Sequence, residues 1–459
     1  MNFSDRKVLV LGLGDTGLSM ARWLTRQGAD VRVADTRARP PRLDDLKRLL
    51  PDVAAHCGPF RRESFAQIDL LAVSPGLSLA SAGLPQAAAG VPVLGDIELF
   101  AKAAASGSRV IAVTGTNGKS TVTALAGSMA KAANADCEVA GNIGPPVLEA
   151  LMRREDAGSL PELWVLELSS YQLETTRSLD ADAATVLNVT EDHLDRYRGI
   201  AEYAAAKARI FSGAGVQILN RDDPRSLAMA LPDHSTVSFG LNAPQRAADW
   251  GVIQRSGELW LAQGAEAILP LADMKIAGMH NAANALAALA LCRALDLPLD
   301  PLLGALREFR GLPHRVELIA EKDGVRWYDD SKGTNVGSTV AALAGLAGGG
   351  RKAVLIAGGD GKGQDFSPLK SAVARSARCL VLIGRDAPRI EAAVAGSSVP
   401  ILPAASMDEA VALCAQAARA GDVVLLSPAC ASFDMFRDYK HRGEVFKASV
   451  ERALGAAPH

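Results

Sequence analysis

Lysine, serine and threonine at 119–121 close a glycine-rich run, Thr114–Thr121 (TGTNGKST), whose residue types and order suit the gripping of a triphosphate. Gly115 and Gly118 let the backbone curl through Thr116 and Asn117, so that its N–H groups converge on an anion at a helix N-terminus. Lys119 supplies a positive charge for the β- and γ-phosphates, and a hydroxyl at Ser120 or Thr121 can ligate Mg²⁺. The run departs from G-x-x-x-x-G-K-[ST]: Val113 stands where the first glycine usually falls, so the loop is shorter. A strand-like run, Val110–Val113, precedes it and a helix is predicted over Val122–Ala132, which argues against a chance Gly-Lys-Ser.

Further chemistry-bearing clusters sit at the ends of other apolar runs. Gly12–Gly17 (GLGDTG) matches G-x-G-x-x-G, and Asp35 follows where a ribose-binding carboxylate would sit. That pairing alone suggests a nicotinamide oxidoreductase. A second phosphate loop about a hundred residues on argues against it, because hydride transfer needs no γ-phosphate clamp. The first segment is therefore expected to bind another phosphorylated nucleotide, with Asp35 on a hydroxyl or base edge and Thr36 and Arg37 reaching phosphate or uracil groups. Glu167 ends a buried-type strand (WVLE) and suits Mg²⁺. Asn188–Asp195 (NVTEDHLD) offers His193 as a ligand of a second cation or a contact to a carboxylate under attack. Lys207, in YAAAKA, reads as an ordinary helix-surface lysine. Asp329–Asn335 (DDSKGTN) and Gly358–Gly363 (GGDGKG) each place a lysine, Lys332 and Lys362, after a strand; together they suggest a pocket for an anionic small molecule.

These clusters need a parallel α/β scaffold. Strands are expected at Lys7–Leu11, Val31–Ala34 and Leu70–Val73; then at Arg109–Val113, Leu163–Leu166, Ala184–Leu187 and Gln217–Leu219; then at Val325–Tyr328, Lys352–Ala357, Cys379–Ile383 and Val423–Leu426. A small antiparallel addition is expected between Val237 and Leu269. The reading is α/β in three domains: a Rossmann-like N-terminal domain (1–97), a central P-loop mononucleotide-binding ATPase domain (98–311), and a Rossmann-like C-terminal domain (312–459). Low-complexity spots at Ala87–Gly90 and Ala344–Gly350 are expected to be loops or helix ends.

With 49 Lys+Arg against 51 Asp+Glu, the net charge of −2 leaves no electrostatic footprint for nucleic acid. Six cysteines without C-x-x-C spacing suit a reduced, cytoplasmic protein. No signal-peptide h-region opens the chain. The uncharged run Ile276–Cys292 is alanine-rich and interrupted by His280, Asn281 and Asn284, so it reads as a buried helix rather than a membrane insertion.

The order TGTNGKST, ELSS, NVTEDHLD, HNAANALAA, GLPHR, DDSKGTN and GGDGKG resembles the Mur ligase family over essentially the whole length. GLGDTGLS with DTR, and DDSKGTN with SPACASFD, resemble its D-glutamate-adding branch. The resemblance implies an ATP-dependent amide ligase of peptidoglycan precursor synthesis, acting as a monomer on small-molecule substrates (UDP-N-acetylmuramoyl-L-alanine, D-glutamate and ATP), with two Mg²⁺ sites. It implies that Thr16, Asp35, Thr36, Arg37 and Ser74 hold the UDP, with Asn142 and His193 toward the sugar and peptide end. Asp15 stands where the family often has an apolar residue, so its side chain is expected to point away from the diphosphate. Gly115–Thr121, Asn281, Asn284, Arg315 and Asp330 would contact ATP, and Ser120 and Glu167 the first Mg²⁺. Lys207 corresponds to the family's carbamylated lysine, a ligand of the second Mg²⁺ beside His193. Thr334, Lys362 and Ser432 would hold D-glutamate, walled by Phe433 and Tyr439, where the family more often has Leu and Phe. Lys119, Glu167, His193, Lys207 and Lys332 are the expected catalytic set. Alternatives are another amino-acid-adding member or a folylpolyglutamate-type synthetase, the oxidoreductase above, and a non-catalytic nucleotide switch.

Overall fold

The computed structural model describes residues 2–78, 90–103, 107–193, 196–276, 278–347 and 350–455. Leu194 and Asp195 of the NVTEDHLD run, and residues 87–89 and 348–349 of the low-complexity spots, lie outside them.

Three sheets follow one another along the chain, in keeping with the α/β expectation. The first is wholly parallel, with Lys7–Leu11 at its centre between Asp30–Asp35 and Leu70–Val73, and Ala54–Cys57 and Val93–Leu94 at its edges. The order reverses between Lys7–Leu11 and Leu70–Val73, a switch point where loops diverge and leave a crevice. Gly12 to Gly17 make that turn. A side chain at Gly17 would place its Cβ 1.8 Å from the Gly12 carbonyl oxygen, so the helix Asp15–Arg26 can approach the strand only because glycine stands there.

The central sheet has nine strands. Arg109–Thr114 lies inside it between Leu163–Glu167 and Ala183–Val186, with Cys137–Gly141 beyond the former. On the other side Val216–Asn220 and Thr236–Phe239 continue in parallel. The antiparallel addition is a meander, Trp250–Arg255, Glu258–Gln263 and Glu266–Pro270, joined to them through Phe239 and Trp250. The helix Lys119–Ala132 buries Val122, Leu125, Ala126, Met129 and Ala130, the i, i+3, i+4, i+7, i+8 stripe of one face. It packs against Met279–Ala294, the uncharged run, whose leucines and alanines enter the same core. Among the described residues no helix is long and apolar enough to cross a membrane.

The third sheet runs Glu317–Lys322, Val325–Asp329, Val423–Leu426, Ala353–Gly358, Ala377–Ile383, Ile401–Pro403, parallel apart from the first. Parallel strands send all their C-terminal loops to one edge, so Asp330–Asn335, Gly359–Gln364 and Ser427–Ser432 are brought together there.

The first two units share one apolar core. Val8, Trp23 and Phe100 cluster with Leu148, Trp164 and Leu166, and the Phe100 and Trp164 rings meet edge-on at 5.0 Å. The expected boundary at 97/98 therefore cuts a helix, Asp96–Ala103, that is buried in the common core. Arg22 and Arg26 add ion pairs to Glu149 and Asp156 across the same face. The third sheet has its own clusters, and among the described residues none of them extends into the central core. Polar contacts hold it there instead.

Candidate functional site

A cleft of about 530 Å³ opens where the C-terminal edge of the central sheet faces that of the third. Lys119, Glu167, His193, Lys207 and Lys332 all line it. So do Thr116, Asn117, Gly118, Thr121, Asn142, Asn281, Asn284, Arg315 and Asp330, together with Thr334 and Lys362.

The phosphate loop is shaped by what surrounds it. Gly118 takes φ +84°, and a Cβ there would lie 2.5 Å from Asn284 Oδ1, so Asn284 rests directly on the loop. Lys119 Nζ donates to the carbonyls of Gly115 (2.8 Å) and Thr116 (2.9 Å). Ser120 Oγ accepts from Arg315 Nη2 at 2.6 Å, a contact made by the third domain across 195 residues of chain. Desolvation within the loop pulls the Lys119 ammonium below its usual value, against the pull of Glu167 and Asp192.

Lys207 is not the surface lysine its neighbours suggest. It is 1 % exposed, its Nζ donates to the Gly115 carbonyl at 2.8 Å, and it lies 4.4 Å from the centre of the Tyr203 ring. Burial first, and the Lys119 charge second, hold its pKa well below the ordinary lysine value. Locally, only Tyr203 and Ala204, four and three residues before, share the helix face of Lys207 in Ile200–Ala208 and hint that it is apolar.

Glu167 ends its strand fully buried. Its Oε1 accepts from Asn142 Nδ2 at 2.6 Å, and its Oε2 is buried without a hydrogen-bond partner. A lone carboxylate oxygen so placed fits a hard cation, whereas the Ser120 hydroxyl oxygen is engaged by Arg315. His193, at φ +57°, pairs through Nδ1 with the Tyr171 hydroxyl at 2.7 Å, which leaves Nε2 for a ligand. Burial lowers its pKa and favours the neutral ring.

In the third domain, Lys332 Nζ stands 4.0 Å from the centre of the Tyr439 ring. Burial, helped by Arg315 and Lys119, lowers its pKa to about 8. Burial raises Asp330 to about 7, opposed by a hydrogen bond from Ser427 Oγ and by Arg315. Arg442, wholly buried, donates to Ser331 Oγ, Ser331 O and Cys430 O, and so ties the DDSKGTN loop to the SPACASFD loop. Ser432 is buried in that second loop. The apolar wall expected at Phe433 is not formed. The turn returning Phe436 N–H to the Ser432 carbonyl seats Phe436 against the core and leaves Phe433 70 % exposed.

Thr16, Asp35, Thr36, Arg37 and Ser74 gather at the switch point of the first sheet, away from the cleft lining. Arg37 does not reach outward. Its Nε and Nη2 donate to the Asp35 carboxylate, whose Oδ2 also accepts the Leu13 N–H at 2.7 Å. Asp35 thus shapes the turn and holds Arg37, rather than standing free for a hydroxyl or base. Asp15 pairs with Arg42 at 2.5 Å. Arg196 bridges this region to the cleft: it donates to the carbonyls of Pro75 and Leu77, pairs with Glu174, and stacks over Tyr171. Nothing in its local sequence marks that role.

A phosphate loop, an unsatisfied carboxylate and lysines from a separate domain around one cleft define a multidomain enzyme that works on a nucleotide's phosphates. Family profiles agree in three places: Mur ligase MurD-like, N-terminal domain (residues 6–95), Mur ligase middle domain (113–292), and Mur ligase, glutamate ligase domain (314–430). The UDP-N-acetylmuramoylalanine--D-glutamate ligase of Nitrosomonas europaea is 57% identical over 460 residues, covering 98% of this chain and 97% of that one. The enzyme of the same name from Chromobacterium violaceum is 54% identical, covering 99% and 100%. Among solved structures, MurF from Acinetobacter baumannii matches with TM-score 0.61 and 18% identity, over 98% of this chain and 91% of that chain. MurC from Thermotoga maritima matches at 0.59 and 19%, over 98% and 100%. The chain belongs to the Mur ligase family.

Proposed function

We propose that this protein joins D-glutamate to UDP-N-acetylmuramoyl-L-alanine in peptidoglycan precursor synthesis, with conversion of ATP to ADP and phosphate. The observation that carries the reading is the single cleft in which the phosphate loop faces Lys332, Thr334 and Lys362 of the third domain. Full-length identity of 57% to a D-glutamate ligase supports the choice of amino acid.

A carboxylate resists attack because its leaving group would be oxide. In the proposed mechanism the terminal alanine carboxylate attacks the γ-phosphorus, the bond to the β-phosphate oxygen breaks, and ADP leaves an acyl phosphate. The D-glutamate amine then attacks the acyl carbon, loses a proton, and phosphate departs. Lys119 offsets charge on the transferring phosphoryl group, a positioning and electrostatic task. Asn281, Asn284, Arg315 and Asp330 orient the nucleotide, and Arg315 ties its site to the third domain. Ser120 and Glu167 would hold one Mg²⁺, His193 and a carbamylated Lys207 a second; bound there, they would neutralise phosphate charge. Lys332 steadies the anionic acyl carbon oxygen and phosphate, and Thr334, Lys362 and Ser432 hold the amino acid.

The cationic form of Lys332 exists below its pKa and is lost above it. kcat/KM for ATP is therefore expected to fall on the alkaline side with an apparent pKa of about 8. Lys332→Arg should carry the plateau to higher pH; an unchanged alkaline limb in that variant removes Lys332 from this role. The functional assignment is tested by phosphate release from ATP and UDP-N-acetylmuramoyl-L-alanine with single amino acids. D-Glutamate alone should support turnover among D-Glu, L-Glu, L-Ala and diaminopimelate, and preference for another of these would overturn it.

A further inference from the structure

We infer that Asn117 and Asn335 form a clasp that seats the third domain on the phosphate loop, so that Asn117 is a positioning residue and not a nucleotide contact. Asn117 lies in the middle of TGTNGKST, where a loop residue would ordinarily face phosphate, yet its polar groups are engaged elsewhere. Its N–H donates to Asn188 Oδ1 at 2.8 Å and its carbonyl accepts from Asn188 Nδ2 at 3.1 Å. Its side-chain Oδ1 accepts from Asn335 Nδ2 at 3.1 Å and from the Ser338 hydroxyl at 2.7 Å, and its Nδ2 donates to Asn335 Oδ1 at 3.3 Å. Of the seven hydrogen-bonding positions of residue 117, five are taken, which leaves one amide hydrogen and one backbone carbonyl lone pair for a ligand.

Asn335 is equally committed. Its Oδ1 caps the helix Val336–Leu346 by accepting the Ser338 N–H at 2.9 Å, and its Nδ2 also reaches Asp192 at 3.3 Å. It directly follows Thr334 and stands three residues after Lys332, so its placement sets theirs. Gly337 records how close the two surfaces come: a Cβ there would lie 3.2 Å from Thr190 Oγ1 and 3.4 Å from Asn117 Nδ2. Because no apolar cluster of the described residues joins the central and third domains, such polar contacts can be made and broken as the domains move. The clasp thereby makes the shape of the ATP loop a condition for assembling the lysine-bearing loops opposite.

The readout rests on the ligase activity proposed above. In the full-length enzyme, the affinity for a non-hydrolysable ATP analogue is measured by calorimetry beside steady-state kinetics in D-glutamate. Asn335→Asp keeps the helix cap but loses the donor to Asn117 and sets a carboxylate against Asp192. Asn335→Asp and Asn117→Ala are each expected to raise KM for D-glutamate about tenfold, with the analogue Kd within about twofold of the parent. The double variant should be no worse than the worse single one. Gly337→Ala, which favours the helix and crowds only the joint, should reproduce the KM effect without lowering Tm. The clasp is overturned if Asn117→Ala weakens the analogue tenfold while Asn335→Asp leaves it intact, or if the two effects multiply. Were the parent enzyme to show no D-glutamate-dependent phosphate release, the proposed function would fail instead. Small-angle scattering of the analogue-bound proteins would then decide the clasp: a larger radius of gyration in Asn335→Asp supports it, and identical profiles overturn it.

Discussion

Lys119→Ala is expected to lower kcat roughly 10³-fold, about 4 kcal/mol of transition-state stabilisation, while UDP-N-acetylmuramoyl-L-alanine still binds with near-parental affinity. The reason is the division of labour among the sheets. Lys119 sits in a loop closed by Gly118 and Asn284 on the central sheet, whereas Thr16, Asp35, Thr36, Arg37 and Ser74, the residues expected to hold the UDP, gather at the switch point of the first. The charge is lost at the phosphoryl group alone. Lys119→Arg should not restore the rate, because a planar fork does not replace a compact ammonium held between the Gly115 and Thr116 carbonyls. Steady-state kinetics and calorimetry with the sugar nucleotide check both halves. Near-parental turnover in Lys119→Ala would remove the phosphate-loop assignment.

The second large effect is at Lys207. Lys207→Ala is expected to lose roughly 10²-fold or more in kcat and to regain part of it with added short carboxylates such as formate or acetate. Desolvation and the Lys119 charge lower the pKa of this buried amine and so favour the neutral form, whose lone pair attacks CO₂. The proton it then releases leaves a carbamate, an anion in place of an amine, beside Glu167 and His193 in the same cleft. Carbon-13 bicarbonate should accordingly give a carbamate NMR signal in the parent enzyme that is absent from Lys207→Met, which fills the same space. No rescue by carboxylates and no such signal would leave Lys207 a packing residue over Tyr203.

Comparison of these two lysines shows which parts of the site can be read from the chain. Lys119 is legible because everything that defines it is local: a strand, two glycines, a hydroxyl pair and a helix within thirteen residues. Glu167, His193, Lys332 and Lys362 are legible for a related reason, since each follows an apolar run and parallel strands deliver their C-terminal loops to one edge. Lys207 gets its character from the Gly115 carbonyl 92 residues away, and Arg315 reaches Ser120 across 195. The pairing of Asn117 with Asn335 is hidden from the sequence for the same reason, the two being 218 residues apart. Arg37 fails differently: a guanidinium two residues after a buried carboxylate satisfies its neighbour before any ligand. Phe433, exposed where a wall was expected, depends on which of two nearby phenylalanines the turn delivers to the core.

The amino-acid sequence by itself determined the α/β class with three units, most of the central parallel strands, and the loops that carry phosphate and lysine chemistry, but not the strands Ala54–Cys57, Val93–Leu94, Cys137–Gly141, Glu317–Lys322 and Ile401–Pro403. Apolar periodicity, glycine turns and strand ends are properties of short segments, and short segments suffice to specify them. Only the tertiary structure decided which of those loops share a cleft, that the first two units share a core while the third is held by polar contacts, and what ionisation state each buried group prefers. Burial and pairing are set by residues brought together from opposite ends of the chain. The same lysine would be a solvated cation on an open helix, whereas beneath the phosphate loop burial and the Lys119 charge lower its pKa.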